Sequence, residues 1–136
     1  HQSGARHLAD VEKNYRDAGV EATLLPFIDD ISAQYAQSDL VICRAGASTI
    51  AEIAAAGIAS VLVPFPHAVD DHQTANAREI TRAGGARTIP QPEFTAVELA
   101  KQMQKLGLDP AALENAAARA KSVGRRWVDR GAAPIR

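Results

Sequence analysis

The pattern of apolar and polar positions predicts helices and strands that alternate along most of the chain. Leu8, Val11 and Tyr15 recur at helical spacing among charged residues, which predicts a surface helix over residues 5–18, ended by Gly19. Short apolar runs predict strands over residues 20–25, 39–43, 59–63 and 86–89. Helices are predicted over residues 30–36 (capped by Asp29 or Asp30), 48–56, 71–83, 96–106 and 110–123.

This alternation predicts an α/β fold, in which a Rossmann-like parallel sheet with right-handed crossovers has helices on both faces. The run at residues 39–43 is apolar throughout, so we expect that strand to be buried on both faces. With 136 residues, 46% of them hydrophobic, the chain can form one domain with a real core but not two. We expect that domain over residues 1–123 and, where the periodicity is lost, a loosely packed tail over residues 124–136.

Charge and cysteine content narrow the classes of function. The net charge is −1, with 15 Lys and Arg against 16 Asp and Glu, which argues against nucleic-acid binding. The single cysteine, Cys43, has no disulfide partner within the chain and is predicted to be buried as a small hydrophobe, which fits a reducing cytosol. No segment reaches the roughly 18–20 apolar residues of a membrane-spanning helix, so any membrane contact is expected to be peripheral.

Ligands of open parallel sheets bind at the carboxyl ends of the strands, which directs attention to the loops at residues 26–30, 44–49 and 64–73. The second loop leaves a strand, turns on Gly46 and opens a helix, so that free backbone N–H groups and the positive helix end face an anion such as a phosphate. Its residues are Arg44, Ala45, Gly46, Ala47, Ser48 and Thr49. An ordinary turn is the alternative, because neither GxGxxG nor the P-loop pattern occurs.

Glu52 follows Thr49 by one helical turn, and two roles are open for it. Its carboxylate, which only accepts hydrogen bonds, suits the two hydroxyls of a ribose. Thr49-Ile50-Ala51-Glu52 also fits a capping box, in which Glu52 would accept from the Thr49 backbone N–H.

The third loop leads into a helix start with several polar side chains. His72, Gln73 and Asn76 lie three to four residues apart, so their side chains share one helical face, and amide groups suit sugar hydroxyls. An ordinary capped helix with a solvated polar face is the alternative. A metal site built from His67, Asp70, Asp71 and His72 is disfavoured, since no HExxH pattern occurs and the aspartates can serve as caps. We predict no metal and no cofactor.

The first loop contains Phe27 and Ile28 at the mouth of the predicted sheet. A planar base could pack on these side chains and pair with main-chain N–H and C=O groups. The alternative is that Phe27 belongs to the core.

Four segments, taken in order, resemble the MurG family: HQSG at residues 1–4, PFIDDI at 26–31, CRAGASTIAEIAAAG at 43–57 and VPFPHAVDDHQTANA at 63–77. These transferases add N-acetylglucosamine to the undecaprenyl-linked muramyl-pentapeptide precursor of peptidoglycan. The resemblance implies one half of a GT-B fold: the C-terminal, UDP-sugar-binding domain, without its opening strand and Gly-rich loop. We therefore expect the chain to be part of a longer protein.

The resemblance also implies roles for individual residues. Ile28 would meet uracil through its backbone with Phe27 beside it, Thr49 would lie at the diphosphate, and Glu52 would hold the ribose hydroxyls. Gln73 and Asn76 would bind the N-acetylglucosamine, with His72 adjacent. The full set of candidate binding residues is Phe27, Ile28, Arg44, Gly46, Ala47, Ser48, Thr49, Glu52, His72, Gln73 and Asn76. Ser48 departs from the family, which has a bulkier apolar residue there.

The activity implied is a metal-independent, inverting transfer at the cytoplasmic face of the bacterial membrane, where the protein would associate peripherally. UDP-N-acetylglucosamine is the implied donor and the lipid-linked muramyl-pentapeptide the implied acceptor. The general base and the acceptor site are expected on the other domain, so this chain alone is expected to be inactive. Alternatives are the donor half of another UDP-sugar transferase or an epimerase, and a non-catalytic nucleotide-binding domain.

Overall fold

The computed structural model describes residues 1–66 and 72–131, and for residues 72–74 and 76 it describes the backbone alone. The chain forms two compact units, His1–Ala33 and Gln34–Arg136. The single domain that we expected over residues 1–123 stays a prediction. The three strands of the described sheet lie in the second unit.

The first unit has a short 3-10 helix, Ala5–His7, that runs into helix α1, Leu8–Asp17. The predicted strand over residues 20–25 is wrong, because that segment has only one parallel bridge in the described structure, between Gln2 and Leu25. Leu25 N–H donates to the His1 carbonyl over 3.0 Å, and Ser3 N–H donates to the Leu25 carbonyl over 3.1 Å.

Helix α2, Ile31–Gln37, begins where an aspartate cap was predicted. The Asp30 Oδ1 atom accepts a hydrogen bond from the Ala33 N–H over 3.0 Å. Asp30 is therefore the cap, because its carboxylate satisfies one of the N–H groups that the first helical turn leaves without a partner.

The second unit contains three parallel strands in the order β1-β2-β3, which confirms the predicted α/β class. They are β1, Leu40–Cys43, β2, Ala59–Leu62, and β3, Ala86–Thr88. The central strand β2 is buried throughout. The expectation that the first of these strands is buried on both faces is wrong, since Ile42 of β1 is 45% exposed. An edge strand has a neighbour on one side only, so its side chains have fewer contacts.

Four helices accompany the sheet: α3, Ala47–Ala56, α4, His72–Ala83, α5, Ala96–Leu106, and α6, Pro110–Asp129. Helix α3 packs against α6, while α4 packs against β3 and α6. The fully buried side chains of the sheet and these helices include Ile50, Ile53, Leu62, Ile80 and Val123. Ile50 and Ile53 are three residues apart and so form the apolar stripe that α3 turns toward the core.

Helix α6 extends six residues beyond the predicted end at Val123, to Asp129. Trp127 is 7% exposed, and its Nε1 donates to Glu79 Oε2 over 2.7 Å. The expectation of loose packing from residue 124 onward is therefore wrong for the residues up to Asp129, and residues 132–136 lie outside the described part of the chain. Gly124 does not end the helix: it lies where α6 meets α3, and an added Cβ would be 3.1 Å from the Ala54 backbone.

Candidate functional site

The carboxyl ends of β1, β2 and β3 lie along one edge of the sheet because the strands are parallel. Arg44, directly after β1, connects the loops at this edge. Its Nη1 donates to the Val63 carbonyl over 3.4 Å and to Gln91 Oε1, and its guanidinium carbon lies 5.5 Å from the centre of the Phe65 ring. These contacts join the loops that follow β1, β2 and β3. The predicted contact of Arg44 with a ligand stays a prediction.

Gln91 lies in a loop that the sequence analysis did not consider. That loop follows β3, at the same edge as the loops after β1 and β2. The rule that ligands bind at strand ends would have included it, since the strand before it was predicted from the sequence.

The start of α3 has the geometry expected of an anion site. Gly46 is the N-cap, with φ −62° and ψ 150°, and no side chain caps the helix. The first N–H groups of the helix, beginning at Ala47, have no carbonyl partner within it. A Cβ added to Gly46 would meet nothing nearer than Thr49 Oγ1 at 4.0 Å, so the space before the helix is open among the described residues. A negatively charged group would be stabilised there.

The structure excludes one of the two roles considered for Glu52. Helix α3 begins at Ala47, so Thr49 is its third residue and not the N-cap that a capping box requires. The capping-box alternative is therefore wrong. The Glu52 carboxylate is exposed, and it accepts hydrogen bonds from the Ser48 hydroxyl and the Tyr35 hydroxyl, each over 3.3 Å.

Tyr35 was not predicted to belong to the site. It is buried, with 9% of its surface exposed, and lies in α2, 17 residues before Glu52. Burial and the neighbouring Glu52 charge raise the pKa of Tyr35 to about 12. Nothing in the local pattern of α2 indicates that its one aromatic side chain reaches a carboxylate of another helix.

In the first unit, Phe27 is 66% exposed, so the alternative that it belongs to the core is wrong. The Ile28 N–H, one of the main-chain groups expected to contact a base, donates to Gln2 Oε1 over 2.9 Å. Gln2 thus holds the segment around Ile28, a contact that the sequence analysis did not predict.

Helix α4 begins at His72, but the side chains of His72, Gln73 and Asn76 lie outside the described part of the molecule. Their predicted sharing of one face is therefore not tested. The alternative metal site also falls on residues outside the description. Among the residues that are described, no group of three or more His, Cys, Asp or Glu side chains could hold a metal ion.

Two further observations concern the chain as a whole. None of the described helices is long and apolar enough to span a membrane. Burial raises the pKa of the Cys43 thiol to about 12, although the residue is partly exposed to solvent. The thiol is therefore protonated near neutral pH and is a poor nucleophile.

The parallel sheet, the open start of α3 and the exposed Glu52 define an α/β domain with a candidate ligand site at its strand ends. Residues 1–129 match the glycosyltransferase family 28 C-terminal domain. The chain belongs to this family.

Individual relatives agree with the resemblance to the MurG family. The chain is 48% identical over 125 residues to the UDP-N-acetylglucosamine--N-acetylmuramyl-(pentapeptide) pyrophosphoryl-undecaprenol N-acetylglucosamine transferase of Azotobacter vinelandii, covering 92% of this chain and 35% of that protein. It is 55% identical over 109 residues to the transferase of the same name from Aromatoleum aromaticum, covering 80% and 30% of the two proteins. The chain thus spans about a third of the length of these curated relatives.

Among solved structures, the crystal structure of Acinetobacter baumannii MurG matches with a TM-score of 0.82 at 37% identity. The match covers 96% of this chain and 39% of that one. The resemblance to MurG and the assignment to one half of a GT-B fold are confirmed.

Proposed function

We propose that this chain binds UDP-N-acetylglucosamine as the donor half of an inverting glycosyltransferase. The full reaction would transfer N-acetylglucosamine to undecaprenyl-pyrophosphoryl-muramyl-pentapeptide, converting lipid I to lipid II. The observation that supports this most directly is the exposed Glu52 carboxylate, held by two hydroxyl donors one turn after the open start of α3. The helix start suits a diphosphate, and the carboxylate next to it, which can accept hydrogen bonds from hydroxyl groups, suits the adjoining ribose.

In the second unit, we assign the diphosphate to the start of α3 and the ribose to Glu52. The N–H groups from Ala47 to Thr49 would donate to phosphate oxygens, and the Thr49 hydroxyl would add a further donor. Charge on UDP increases as it leaves the sugar, so the helix end would stabilise the transition state more than the bound donor.

Two further assignments concern the base and the sugar. Phe27 has the exposed ring on which uracil would pack, and the Ile28 backbone would pair with the edge of the base. Gln73 and Asn76 would bind the N-acetylglucosamine hydroxyl and amide groups, with His72 beside them.

The acceptor hydroxyl would attack the anomeric carbon from the face opposite to UDP, which inverts that centre. No candidate residue of this chain is assigned as the base that removes the hydroxyl proton. That base, the lipid-linked acceptor and peripheral contact with the cytoplasmic face of the membrane are assigned to the part of the relatives that this chain does not cover. No cofactor, metal or nucleic acid takes part in the proposed reaction.

Thermal unfolding with added ligands tests the proposal. UDP and UDP-N-acetylglucosamine are expected to raise Tm, since a ligand at 100 times its Kd stabilises a protein by about 2.7 kcal/mol. UDP-glucose is expected to stabilise less than UDP-N-acetylglucosamine, and NAD not at all. Equal stabilisation by UDP-glucose would favour another UDP-sugar enzyme, whereas stabilisation by NAD alone would favour an unrelated nucleotide-binding role.

A sugar-specific prediction follows for Gln73→Ala and Asn76→Ala. Each replacement removes hydrogen bonds to a neutral sugar, so affinity for UDP-N-acetylglucosamine is expected to fall about two- to tenfold, with little change for UDP. Isothermal titration of both ligands measures the difference. Equal weakening of the two would place these side chains away from the sugar.

A further inference from the structure

Two hydroxyl groups from different helices fix the Glu52 carboxylate, one on each of its oxygens. The Tyr35 hydroxyl of α2 donates to Oε2, and the Ser48 hydroxyl of α3 donates to Oε1, each over 3.3 Å. A glutamate on an exposed helix face ordinarily has several rotamers, and it loses this freedom when it binds a ligand. Here the two hydroxyls select one orientation before any ligand is present.

The hydrogen-bonding capacity that remains on Glu52 has a specific form. An ionised carboxylate has two oxygens with about four acceptor positions in all. With one position on each oxygen taken by Tyr35 or Ser48, about one position per oxygen is left. A vicinal diol has two O–H donors, and a carboxylate with one position free on each oxygen can accept both.

We propose that Tyr35 is a positioning residue for the nucleotide site: its hydroxyl, together with that of Ser48, holds Glu52 in the orientation that accepts both ribose hydroxyls. This inference rests on the proposed function. In this proposal Tyr35 does not contact the ligand; it orients the Glu52 carboxylate, which does.

Tyr35 suits this role better than a residue on the surface would. Its ring is buried, so packing fixes the position of the hydroxyl, whereas Ser48 is exposed. Its pKa, raised to about 12 by burial and by the Glu52 charge, keeps the phenol protonated and donating at any physiological pH. The donor therefore neither moves away nor ionises under the conditions in which a nucleotide binds.

Tyr35→Phe tests the inference because it removes the hydroxyl and keeps the ring. Affinities for UDP and for 2′,3′-dideoxy-UDP, which lacks both ribose hydroxyls, are measured by isothermal titration. UDP affinity is expected to fall about three- to tenfold, in line with one lost hydrogen bond, while dideoxy-UDP affinity stays unchanged. In a Glu52→Gln background the same replacement is expected to have little further effect, since the two residues act through one contact.

The chain offers a matched control in its other tyrosine. The Tyr15 hydroxyl lies 3.0 Å from His1 Nδ1 and belongs to no candidate site. Tyr15→Phe is therefore expected to leave both affinities unchanged. If Tyr35→Phe does not fold, Ser48→Ala provides a second test at an exposed position. Like Tyr35→Phe, it is expected to reduce the preference for UDP over dideoxy-UDP.

The other possible results contradict either the role of Tyr35 or the ribose role of Glu52. Equal losses for UDP and dideoxy-UDP in Tyr35→Phe would mean that Tyr35 only supports the fold, and unchanged UDP affinity would mean that it has no role. If the wild-type protein prefers UDP over dideoxy-UDP but both variants keep that preference, the inference fails and the ribose role of Glu52 stands. If the wild-type protein has no such preference, the proposed ribose role fails and the inference fails with it.

Discussion

Glu52→Gln is expected to weaken UDP binding by roughly ten- to a hundredfold, which corresponds to about 1.5–3 kcal/mol for hydrogen bonds to a charged group. Gln keeps the length of the side chain but has one carbonyl oxygen in place of two charged ones. That oxygen can still accept from Tyr35 or Ser48, so fewer positions are left for a diol. We expect the free energy of unfolding to change little, because Glu52 is exposed and does not cap α3.

The measurement compares UDP with 2′,3′-dideoxy-UDP in the wild-type and Glu52→Gln proteins. Dideoxy-UDP binding should be nearly insensitive to the replacement, because that ligand has no hydroxyls for the carboxylate to accept. A similar loss for both nucleotides would show that Glu52 acts on the diphosphate or on the fold and not on the ribose.

Gly85→Ala is expected to lower the free energy of unfolding by about 1–3 kcal/mol, as steric overpacking of a core does. A Cβ at Gly85 would lie 2.8 Å from the Ala120 backbone nitrogen and 2.9 Å from its Cα. The residue cannot easily retreat: its N–H donates to the Ile80 carbonyl over 3.1 Å, and its carbonyl accepts from the Ser60 N–H of β2 over 3.3 Å. Accommodating the methyl group must therefore displace α6 or the start of β3.

Urea denaturation of Gly85→Ala and of Gly85→Ala combined with Ala120→Gly checks this prediction. The second replacement removes the Ala120 methyl, which is 2.9 Å from the added Cβ, but leaves the backbone atoms in place. The double variant is therefore expected to regain no stability. Recovery in the double variant would show that the two methyl groups alone conflict, and an unchanged single variant would contradict the close approach of α6.

Features that depend on neighbours along the chain could be predicted from the sequence. Local sequence signals predicted a helix over residues 96–106, and the structure has α5 at Ala96–Leu106. Alternating helices and short apolar strands predicted the parallel sheet, and parallel topology in turn placed the loop that contains Gly46 at its carboxyl edge. Local rules also identified Asp30 as a possible cap.

Contacts between residues far apart in the sequence could be found only in the folded molecule. Tyr35 and Glu52 are 17 residues apart, Gln2 and Ile28 are 26 apart, and Arg44 and Gln91 are 47 apart. No local pattern specifies such pairs, because each depends on how whole elements pack.

The same limit explains the errors at Gly124 and at β1. The helix was predicted to end at Val123 because the periodicity is lost from residue 124, whereas the small size of Gly124 serves the contact between α6 and α3. An apolar run such as Leu40–Cys43 shows that a strand forms, but its burial depends on what packs beside it, and β1 lies at the edge of the described sheet. The apolar pattern of a segment indicates its conformation. Its burial depends on how many other segments pack against it, and that is determined only when the chain has folded.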